Sequence, residues 1–369
     1  MKGLILSGGA GTRLRPITHT RAKQLVPVAN KPILFYGIEA MAAAGIAEIG
    51  IVVGGETAAE IRETAGDGSA FGVTITYIDQ EAPLGLAHCV LIARDFLGDD
   101  EFVMYLGDNM LQQGLVGFVQ QFATARRTAH EPTLDGTRGA PAAQLLLCKV
   151  PDPHRFGVAE VGSDGAITRL VEKPVDPPSD LALVGVYLFT PAIHEAVASI
   201  EPSPRGELEI TDAIQWLIDR GDIVVHEELE GWWLDTGKKD PLLESNARVL
   251  ETLVSRVDGS LEGTSRIDGR VVVEAGAVLV DSHVRGPAVI GAGARIVNSY
   301  IGPFTAVADG CEIIDSEIEH SVVMDGSRVV GVPRLMDSLV GRGCEVTRSG
   351  TRPAATRLML GDDSSVELA

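Results

Sequence analysis

The last third of the chain repeats itself every 17 residues, a period that few folds can accommodate. Apolar residues recur at this step, at Ile267, Val284, Ile301 and Ile318. Glycines follow the same step, at Gly276, Gly293 and Gly310. Three short strands per coil, joined at corners with small residues or glycine, produce this pattern in a β-helix of the hexapeptide type, whereas a β-sandwich would not keep one period over so many turns. The sequence therefore predicts a left-handed parallel β-helix.

A polar pair accompanies each repeat. It occurs as Asp281-Ser282, Asn298-Ser299 and Asp315-Ser316, and Asp337-Ser338 repeats it after what we interpret as an insertion of five residues. A chain of 369 residues is too long for one ordinary core. We therefore expect an N-terminal domain over 1–240, a connecting helix over 241–256, the β-helix over 257–350 and a tail over 351–369.

The first part of the chain alternates strands and helices. Apolar runs predict strands at 2–7, 49–53, 73–78 and 102–106, and helices at 32–44 and 84–96. Further strands are predicted at 144–150, 156–161, 167–170 and 182–189, and helices at 211–219 and from Asp240-Pro241 to about 254. This order predicts an α/β fold with a Rossmann-like, mainly parallel sheet flanked by helices. Ligands of such sheets bind at the carboxyl ends of the strands.

A glycine-rich turn follows the first predicted strand. Gly8, Gly9 and Gly11 leave main-chain amides uncovered, and Arg13 and Arg15 add positive charge. A dinucleotide fingerprint would need glycine where Leu14 stands, and the spacing of a P-loop is absent. The first 38 residues contain six lysines and arginines and no acidic residue, which favours a polyanion such as a nucleoside triphosphate. The alternative is a tight strand-to-helix turn with incidental surface charge.

The overall charge excludes several other partners. The net charge of −20 argues against nucleic acid and anionic membranes as partners. The four cysteines show no metal or redox spacing, which is typical of reduced thiols in a cytosolic protein. No signal peptide and no apolar run of membrane-spanning length is recognisable. We therefore expect a cytoplasmic protein.

A few polar residues have positions suited to phosphate chemistry. Asp108 in Leu-Gly-Asp-Asn and Asp235 in Trp-Leu-Asp-Thr-Gly could hold Mg²⁺, although each could equally be a turn former. Lys173 could hold a second phosphate, and Gln80 with Gly85 could read a base edge, where the alternatives are a solvated lysine and a loop. The histidines form no nucleophilic triad. This inventory favours nucleotidyl transfer to a phosphate acceptor, which needs charge and alignment more than proton transfer.

Several motifs resemble one enzyme family. Gly-Gly-Ala-Gly-Thr-Arg-Leu-Arg-Pro, with Lys23 in Arg-Ala-Lys-Gln-Leu-Val-Pro-Val, is similar to the signature of sugar-1-phosphate nucleotidyltransferases. Leu-Gly-Asp-Asn, Glu-Lys-Pro, Arg-Gly-Glu-Leu-Glu-Ile-Thr-Asp and Trp-Leu-Asp-Thr-Gly look like its glucose-1-phosphate thymidylyltransferase branch. The β-helix resembles the long form of that branch, found in sugar pathways of antibiotic producers. The resemblance implies a nucleotidyltransferase fold, and the reaction of dTTP with α-D-glucose 1-phosphate to dTDP-glucose and pyrophosphate, the first step of dTDP-deoxysugar biosynthesis.

The resemblance also implies roles for individual residues. Nucleotide binding falls to Leu6, Gly8, Gly9, Gly11, Thr12, Arg13, Lys23, Gln80, Gly85 and Asp108. Sugar-phosphate binding falls to Asn109, Gly157, Glu172, Lys173, Val184 and Gly185. The catalytic set would be Arg13, Lys23, Asp108, Lys173 and Asp235, with Mg²⁺ held by Asp108 and Asp235. The family often has Tyr-Gly where this chain has Phe156-Gly157, so a contact of that hydroxyl would be missing.

Three alternatives accompany this interpretation. A UTP-preferring enzyme is possible because uracil and thymine share the edge that Gln80 would read. A bifunctional enzyme could carry acyltransferase activity in the β-helix, where His283 and His320 lie near corners. A non-catalytic sugar-nucleotide sensor would be expected to lack a catalytic arginine or acidic ligand, and neither is missing here. We expect the β-helix itself to assemble subunits into a homo-oligomer, because its open ends need a cap or partner.

Overall fold

The computed structural model describes residues 1–9, 11–129, 139–163, 165–348 and 358–367. Parts of the predicted β-helix region and tail, residues 349–357 and 368–369, thus lie outside the described residues. Contacts divide the chain into two compact units, Met1–Ala10 with Leu34–Trp233 and Gly11–Ile33 with Leu234–Ala369. The division expected from the sequence, with a first boundary at 240, follows different residues and stays a prediction.

Thirteen strands and eight helices are described up to residue 250. The strands are β1 (Lys2–Leu6), β2 (Pro27–Val28), β3 (Lys31–Pro32), β4 (Glu48–Gly54), β5 (Thr74–Gln80), β6 (Phe102–Leu106), β7 (Asn109–Leu111), β8 (Ala143–Lys149), β9 (Gly157–Val161), β10 (Ile167–Glu172), β11 (Leu181–Phe189), β12 (Val224–Glu228) and β13 (Trp233–Asp235). The helices are α1 (Ile33–Ala43), α2 (Ala58–Ala65), α3 (Leu86–Ile92), α4 (Arg94–Leu97), α5 (Val116–Thr128), α6 (Ala192–Ser199), α7 (Ile210–Arg220) and α8 (Lys239–Leu250).

The first unit is built on one nine-stranded sheet with the order β10-β9-β11-β6-β1-β4-β5, to which β8 and β12 attach beside β11. β1 pairs in parallel with β4 and β6, and β4 with β5, as the alternation of strands and helices predicts. β11 runs antiparallel to its neighbours β6, β8 and β9, so the sheet as a whole is mixed. The carboxyl ends of β1, β5 and β6 consequently lie along one edge.

Most strands and helices lie where the hydrophobic patterns predict them, but some boundaries differ. The predicted helix over 84–96 is broken at Ala93 into α3 and α4. α8 begins at Lys239, one residue before the predicted start, and ends at Leu250 rather than near 254. Helices α2, α5 and α6 had not been expected from the sequence. Among the described helices, none combines the length and the apolar character that crossing a bilayer requires.

Large apolar side chains fill the space between the sheet and its helices. Leu4, Phe102 and Phe189 are fully buried in this core. Gly3 brings α1 close to β1, since a Cβ atom at this position would lie 2.4 Å from Met41 Sδ. The close packing of helix on strand holds the strand ends, and the residues that follow them, in defined positions.

The second unit contains the β-helix. Its strands are β14 (Arg256–Val257), β15 (Ser260–Glu262), β16 (Arg266–Asp268), β17 (Val271–Val273), β18 (Val278–Val280), β19 (His283–Arg285), β20 (Ala288–Ile290), β21 (Arg295–Val297), β22 (Tyr300–Ile301), β23 (Thr305–Val307), β24 (Glu312–Ile314), β25 (Glu317–Glu319), β26 (Val322–Val323), β27 (Arg328–Val330), β28 (Leu335–Met336), β29 (Leu339–Val340) and β30 (Glu345–Thr347). Every third strand pairs in parallel, which forms three sheets and confirms the predicted parallel β-helix.

The strand register explains the period. Ile267 pairs with Val284, Val284 with Ile301 and Ile301 with Ile318, so each coil stacks its apolar residue on that of the coil before. The predicted insertion of five residues before Asp337-Ser338 is wrong. Met336 pairs with Glu319 at the ordinary step of 17, so the late Asp-Ser pair occupies a different corner of the coil.

The polar pairs form the corners. Asp281, Asn298 and Asp315 adopt φ values of 47°, 45° and 50°, a left-handed conformation that Asp and Asn tolerate better than most residues. The serine after each of them links the coils, because the Ser282 hydroxyl accepts a hydrogen bond from the amide of Ser299, 17 residues later. The repeated pair is therefore a structural device.

The segment Gly11–Ile33 is anchored inside the second unit. The side chain of Asn246 on α8 accepts a hydrogen bond from the Ala29 amide at 2.9 Å and donates one to the Phe304 carbonyl at 3.0 Å. Asn30 donates to the carbonyl of Val307 at 2.7 Å. The hairpin β2–β3 is thus held to α8 and to one coil of the β-helix.

Candidate active site

The first part of the glycine-rich turn lies where three strands of the first unit end. Ser7 follows β1 and is fully buried, and a Cβ atom at Gly107 would lie 2.7 Å from its Oγ. A Cβ atom at Gly8 would lie 3.0 Å from Oε1 of Gln80, the last residue of β5. Ser7 and Gly8 therefore lie beside the Gly107 turn and the end of β5. Leu6 is buried at the end of β1, whereas Gly9 is exposed.

The rest of the turn belongs to the second unit. Gly11 has a φ of 62°, and Thr12 begins a short 3-10 helix. Arg13 Nη1 lies 3.3 Å from Asp235 Oδ2, and the Gly237 amide donates to Asp235 Oδ1 at 2.9 Å. Gly237 leaves room for this pair, because a Cβ atom there would lie 2.7 Å from Arg13 Nη2.

Lys23 lies beside the same turn. A Cβ atom at Gly11 would be 2.9 Å from Lys23 Cβ, and Thr18 closes the turn by donating its hydroxyl to the Gly11 carbonyl at 2.6 Å. The second unit therefore gathers Arg13, Lys23 and Asp235 around residues 11–13. The two cationic side chains can bind a phosphate chain, and the carboxylate can be one ligand of the cation that accompanies it.

Gln80 and Gly85, expected to read a base, are in contact. Gln80 Nε2 lies 3.4 Å from the Gly85 carbonyl oxygen. Glycine is required at position 85 for a packing reason as well, since a Cβ atom would lie 2.4 Å from the carbonyl oxygen of Leu208 and φ is 102°. The absence of a side chain at Gly85 thus lets its backbone approach that of Leu208 closely.

Asn109 is buried at the start of β7, next to the expected sugar-binding residues. Its Nδ2 donates to the carbonyl of Val184, and its Oδ1 accepts from Trp233 Nε1 at 3.3 Å. Gly185, with a φ of 87°, makes room for this contact, because a Cβ atom there would lie 2.7 Å from Asn109 Nδ2. The three predicted residues Asn109, Val184 and Gly185 therefore form one cluster.

A second cluster surrounds Glu172 at the end of β10. Its carboxylate lies 3.4 Å from Lys173 Nζ and 3.3 Å from Arg205 Nη2. Burial raises the pKa of Glu172 against the opposing effect of the nearby Lys173 ammonium. A Cβ atom at Gly157 would lie 3.1 Å from Glu172 Oε2, so Gly157 leaves the carboxylate uncovered. Lys173 has a φ of 43°, a conformation that costs free energy and is common at functional sites.

The sequence predictions missed two residues of these clusters. Arg205 lies in the Arg-Gly-Glu-Leu-Glu-Ile-Thr-Asp motif and binds both Glu172 and Glu209. Trp233 lies in the Trp-Leu-Asp-Thr-Gly motif, and its ring meets that of Phe156 edge-on at 5.2 Å. Both motifs were recognised as family signatures, but no residue of the first motif and only Asp235 of the second had been assigned a role.

The two carboxylates expected to hold Mg²⁺ belong to different units, Asp108 to the first and Asp235 to the second. Asp108 is half-buried two residues after β6, and burial together with the Asp108 carboxylate raises the pKa of Tyr105. Within the described residues, no group of three or more His, Cys, Asp or Glu side chains could hold a metal ion. Mg²⁺ is commonly held by one or two carboxylates with substrate phosphates completing its shell, so the chemistry of each aspartate suits this ion.

The histidines of the β-helix are engaged in pairs. His283 Nε2 lies 2.7 Å from Asp268 Oδ2, and its Nδ1 lies 3.1 Å from Arg266 Nη2. His320 Nδ1 lies 2.6 Å from Asp337 Oδ1. An acyltransferase base needs a ring nitrogen available to its substrate, and both nitrogens of His283 already have partners.

The described part of the tail contacts the segment that follows the glycine-rich turn. Asp363 Oδ2 lies 3.2 Å from His19 Nε2 and 3.8 Å from Arg15 Nη1. These three side chains are one-third to one-half exposed. Arg15, which the charge pattern assigned to the cationic turn, therefore has an acidic neighbour in the second unit.

Comparison with known proteins places the chain in a class of enzymes. The family model that is described as "Nucleotidyl transferase" matches residues 2–252, and the chain belongs to this family. Glucose-1-phosphate thymidylyltransferases of Streptomyces griseus and Streptomyces antibioticus are each 55% identical to it, over 100% of this chain and 100% and 99% of theirs. This full-length similarity includes the β-helix region.

Solved structures agree with the fold. A Bacillus anthracis structure with sucrose, titled as a glucose-1-phosphate thymidylyltransferase, is 34% identical with a TM-score of 0.61 and covers 69% of this chain and 98% of its own. A UDP-glucose pyrophosphorylase with bound UDP-glucose is 23% identical with a TM-score of 0.58, over 68% of this chain and 99% of its own, and supports the fold alone. The α/β nucleotidyltransferase core followed by a parallel β-helix is therefore the fold of this enzyme.

Proposed function

We propose that this chain transfers the thymidylyl group of dTTP to α-D-glucose 1-phosphate, forming dTDP-glucose and releasing pyrophosphate. Both Streptomyces relatives matched from end to end are named for that activity. The geometric observation that carries the proposal is the meeting of three strand ends in the first unit, where Gly8, Gln80 and the Gly107–Asp108 turn are neighbours. A glycine-lined edge with a polar amide and a carboxylate suits a nucleotide.

The leaving group would be held by the cationic turn. Main-chain amides of Gly8, Gly9 and Gly11 would approach the triphosphate, since no side chain covers them. Arg13 and Lys23 would stabilise the charge that develops on the departing pyrophosphate. Arg13 is already oriented by Asp235 at 3.3 Å, so its guanidinium would not have to be ordered on binding.

The acceptor would be held by the residues around Glu172 and Asn109. Lys173 would bind the sugar phosphate, and we add Arg205, whose guanidinium lies on the same carboxylate. Glu172 would accept hydrogen bonds from glucose hydroxyls. Asn109, Gly157, Val184 and Gly185 would shape the sugar pocket, with Trp233 as an additional wall.

The chemistry would be one in-line displacement. An oxygen of the sugar phosphate attacks the α-phosphorus of dTTP, and pyrophosphate leaves from the opposite side. The attacking phosphate oxygen is ionised already, and the bridging oxygen takes up negative charge as its bond to the α-phosphorus breaks and pyrophosphate departs, so no general base is required. Asp108 and Asp235 would hold Mg²⁺, which when bound neutralises phosphate charge and orients the reacting groups.

A matrix of nucleoside triphosphates against sugar 1-phosphates tests the proposal. Purified protein with Mg²⁺, dTTP and glucose 1-phosphate should release pyrophosphate and form dTDP-glucose. Lack of release with every nucleotide would overturn the assignment. The second candidate is a uridylyltransferase, because thymine and uracil share the edge that Gln80 would read. Competition between dTTP and UTP as substrates distinguishes the two activities.

We also propose that the β-helix joins subunits into a homo-oligomer. The first coil presents the strands β14 and β15 with exposed apolar residues, Val257 at 47% and Leu261 at 40% exposure. A coil end with uncovered apolar residues and unpaired strand edges favours a partner. Light scattering on the purified protein tests this, and a monomer at micromolar concentration would contradict it.

The cellular setting follows from the substrates. We propose a cytoplasmic enzyme, because dTTP and sugar 1-phosphates are intracellular metabolites and the four cysteines show no disulfide spacing. The product would supply enzymes that modify the sugar of dTDP-glucose, as in deoxysugar formation for antibiotics. Fractionation of the producing cells, with activity in the membrane or secreted fraction, would contradict the location.

A further inference from the structure

The amide of Gln80 has a defined orientation. The Gln80 side chain is 7% exposed, and its Nε2 faces the carbonyl oxygen of Gly85 at 3.4 Å and Nδ1 of His88 at 3.1 Å. A carbonyl oxygen can only accept hydrogen bonds, so the NH₂ group must be the part of the amide that faces it. The opposite orientation would bring Oε1 against the Gly85 oxygen, which is repulsive.

His88 supplies the stronger of the two contacts. It lies on α3, one turn after Gly85 and half-buried. Its Nδ1 can accept from Gln80 only if the ring proton is on Nε2, so the contact selects one tautomer of the histidine. Without His88, the long bond to Gly85 and the weak contact with the Cys89 thiol would remain to oppose rotation of the amide by 180°.

The orientation leaves Oε1 as the group that a ligand would meet. Oε1 faces Gly8, where a Cβ atom would lie only 3.0 Å away. Among the described residues, no donor forms a hydrogen bond with Oε1. Thymine and uracil present an N–H donor at position 3 of the base, whereas cytosine presents an acceptor there, so an exposed oxygen accepts the former and repels the latter.

We propose that His88 is a positioning residue that holds the Gln80 amide with Oε1 toward the base and thereby excludes cytosine nucleotides. The inference rests on the proposed reading of the base by Gln80. It assigns His88 to base selection rather than to turnover. A histidine that only filled space beside α3 would not change the choice between two nucleotides.

A pair of variants at position 88 tests the inference. Leu offers no acceptor to the Gln80 amide, whereas the side-chain oxygen of Asn can accept the hydrogen bond that Nδ1 of the histidine accepts. His88→Leu should therefore lower the ratio of kcat/KM for dTTP to that for dCTP by at least about tenfold, the effect of losing one oriented hydrogen bond. His88→Asn should keep this ratio near that of the unaltered enzyme. The KM for glucose 1-phosphate should stay the same in both.

The controls separate the failure of this inference from the failure of the proposed function. Gln80→Ala should abolish the preference for dTTP over dCTP, and an unchanged preference would overturn base reading by Gln80. If Gln80→Ala lowers the ratio while His88→Leu does not, positioning by His88 is wrong and base reading stands. Equal losses in His88→Leu and His88→Asn would also overturn the inference. His154→Leu, at an exposed histidine, is the matched control and should change nothing.

Discussion

The sheet unit and the β-helix use similar polar residues in opposite ways. In the β-helix, the ring of His283 is bound on both sides, and the hydroxyl of Ser282 links successive coils. At the strand ends of the sheet unit, Oε1 of Gln80 faces Gly8 and receives no hydrogen bond from the described residues. Saturated polar groups stabilise a fold, whereas incompletely satisfied ones at a cleft are available to a ligand.

The two regions also differ in how the chain encodes them. Each coil of the β-helix repeats its neighbour's register at the same step, so contacts are nearly local. The sheet unit joins residues far apart, such as Lys2 with Phe102 on adjoining strands. Substitutions in the core of the β-helix should therefore mainly affect stability, whereas substitutions at the glycine-rich turn and at the strand ends of the sheet should mainly affect turnover.

The largest expected effect is on turnover. Arg13→Ala should lower kcat by about 100- to 1,000-fold, because the charge on departing pyrophosphate loses its guanidinium partner. Pyrophosphate release measures it, and an unchanged melting temperature shows that the fold persists. Arg295→Ala, at an exposed arginine of β21, is the control and should leave kcat unaltered. Activity within about threefold of the unaltered enzyme would contradict the role of Arg13.

Substitutions in the core of the β-helix should instead lower the stability of the fold. Ile301 is fully buried between coils, so Ile301→Ala should cost about 2–4 kcal/mol of unfolding free energy through lost burial and the cavity left behind. Chemical denaturation measures this loss, while kcat of the folded protein should change little. A fall in kcat without a fall in stability would break the proposed division between the two regions.

A smaller effect should appear in the pH dependence of stability. Both ring nitrogens of His194 on α6 are buried, and the ring stacks on Phe102 with 6.1 Å between the ring centroids. Burial lowers the pKa of His194 from 6.5. The unfolded chain then binds the proton more readily, so stability should fall as pH drops below about 6.5. Chemical denaturation at pH 8 and pH 5.5 measures this effect. Between these two pH values, the unfolding free energy of His194→Leu should fall less than that of the unaltered enzyme, and an equal fall would contradict the role of His194.

The smallest effect should come from the tail. Asp363→Asn removes the charge opposite Arg15 and His19, which are exposed enough for solvent to screen the interaction. The melting temperature should fall slightly in low salt, corresponding to less than about 1 kcal/mol, and the difference should vanish in high salt. A loss that persists in high salt would show a tighter contact than an exposed ion pair can make.

Different parts of the molecule were predictable to different degrees. The β-helix followed from its period, although Asp337-Ser338 was assigned to the wrong corner because the same dipeptide turns two different corners of the coil. Strand ends and glycines leave clear signals in a sequence, so the positions of the glycine turn and of Asp108 after strands were predictable, while their roles stay predictions. Arg205 and Trp233 were missed, since an arginine or a tryptophan in a motif carries no sign of which distant side chain it will touch.

The sequence by itself determines the β-helix, the parallel half of the sheet and the cationic turn, because periodicity and backbone freedom are local properties. The pairing of Arg13 with Asp235, 222 positions apart, required the folded chain. So did the orientation of Gln80 by His88, because an amide turns toward whichever donor or acceptor the surrounding backbone brings near. Directions of side chains are properties of the assembled molecule, and they decide its chemistry.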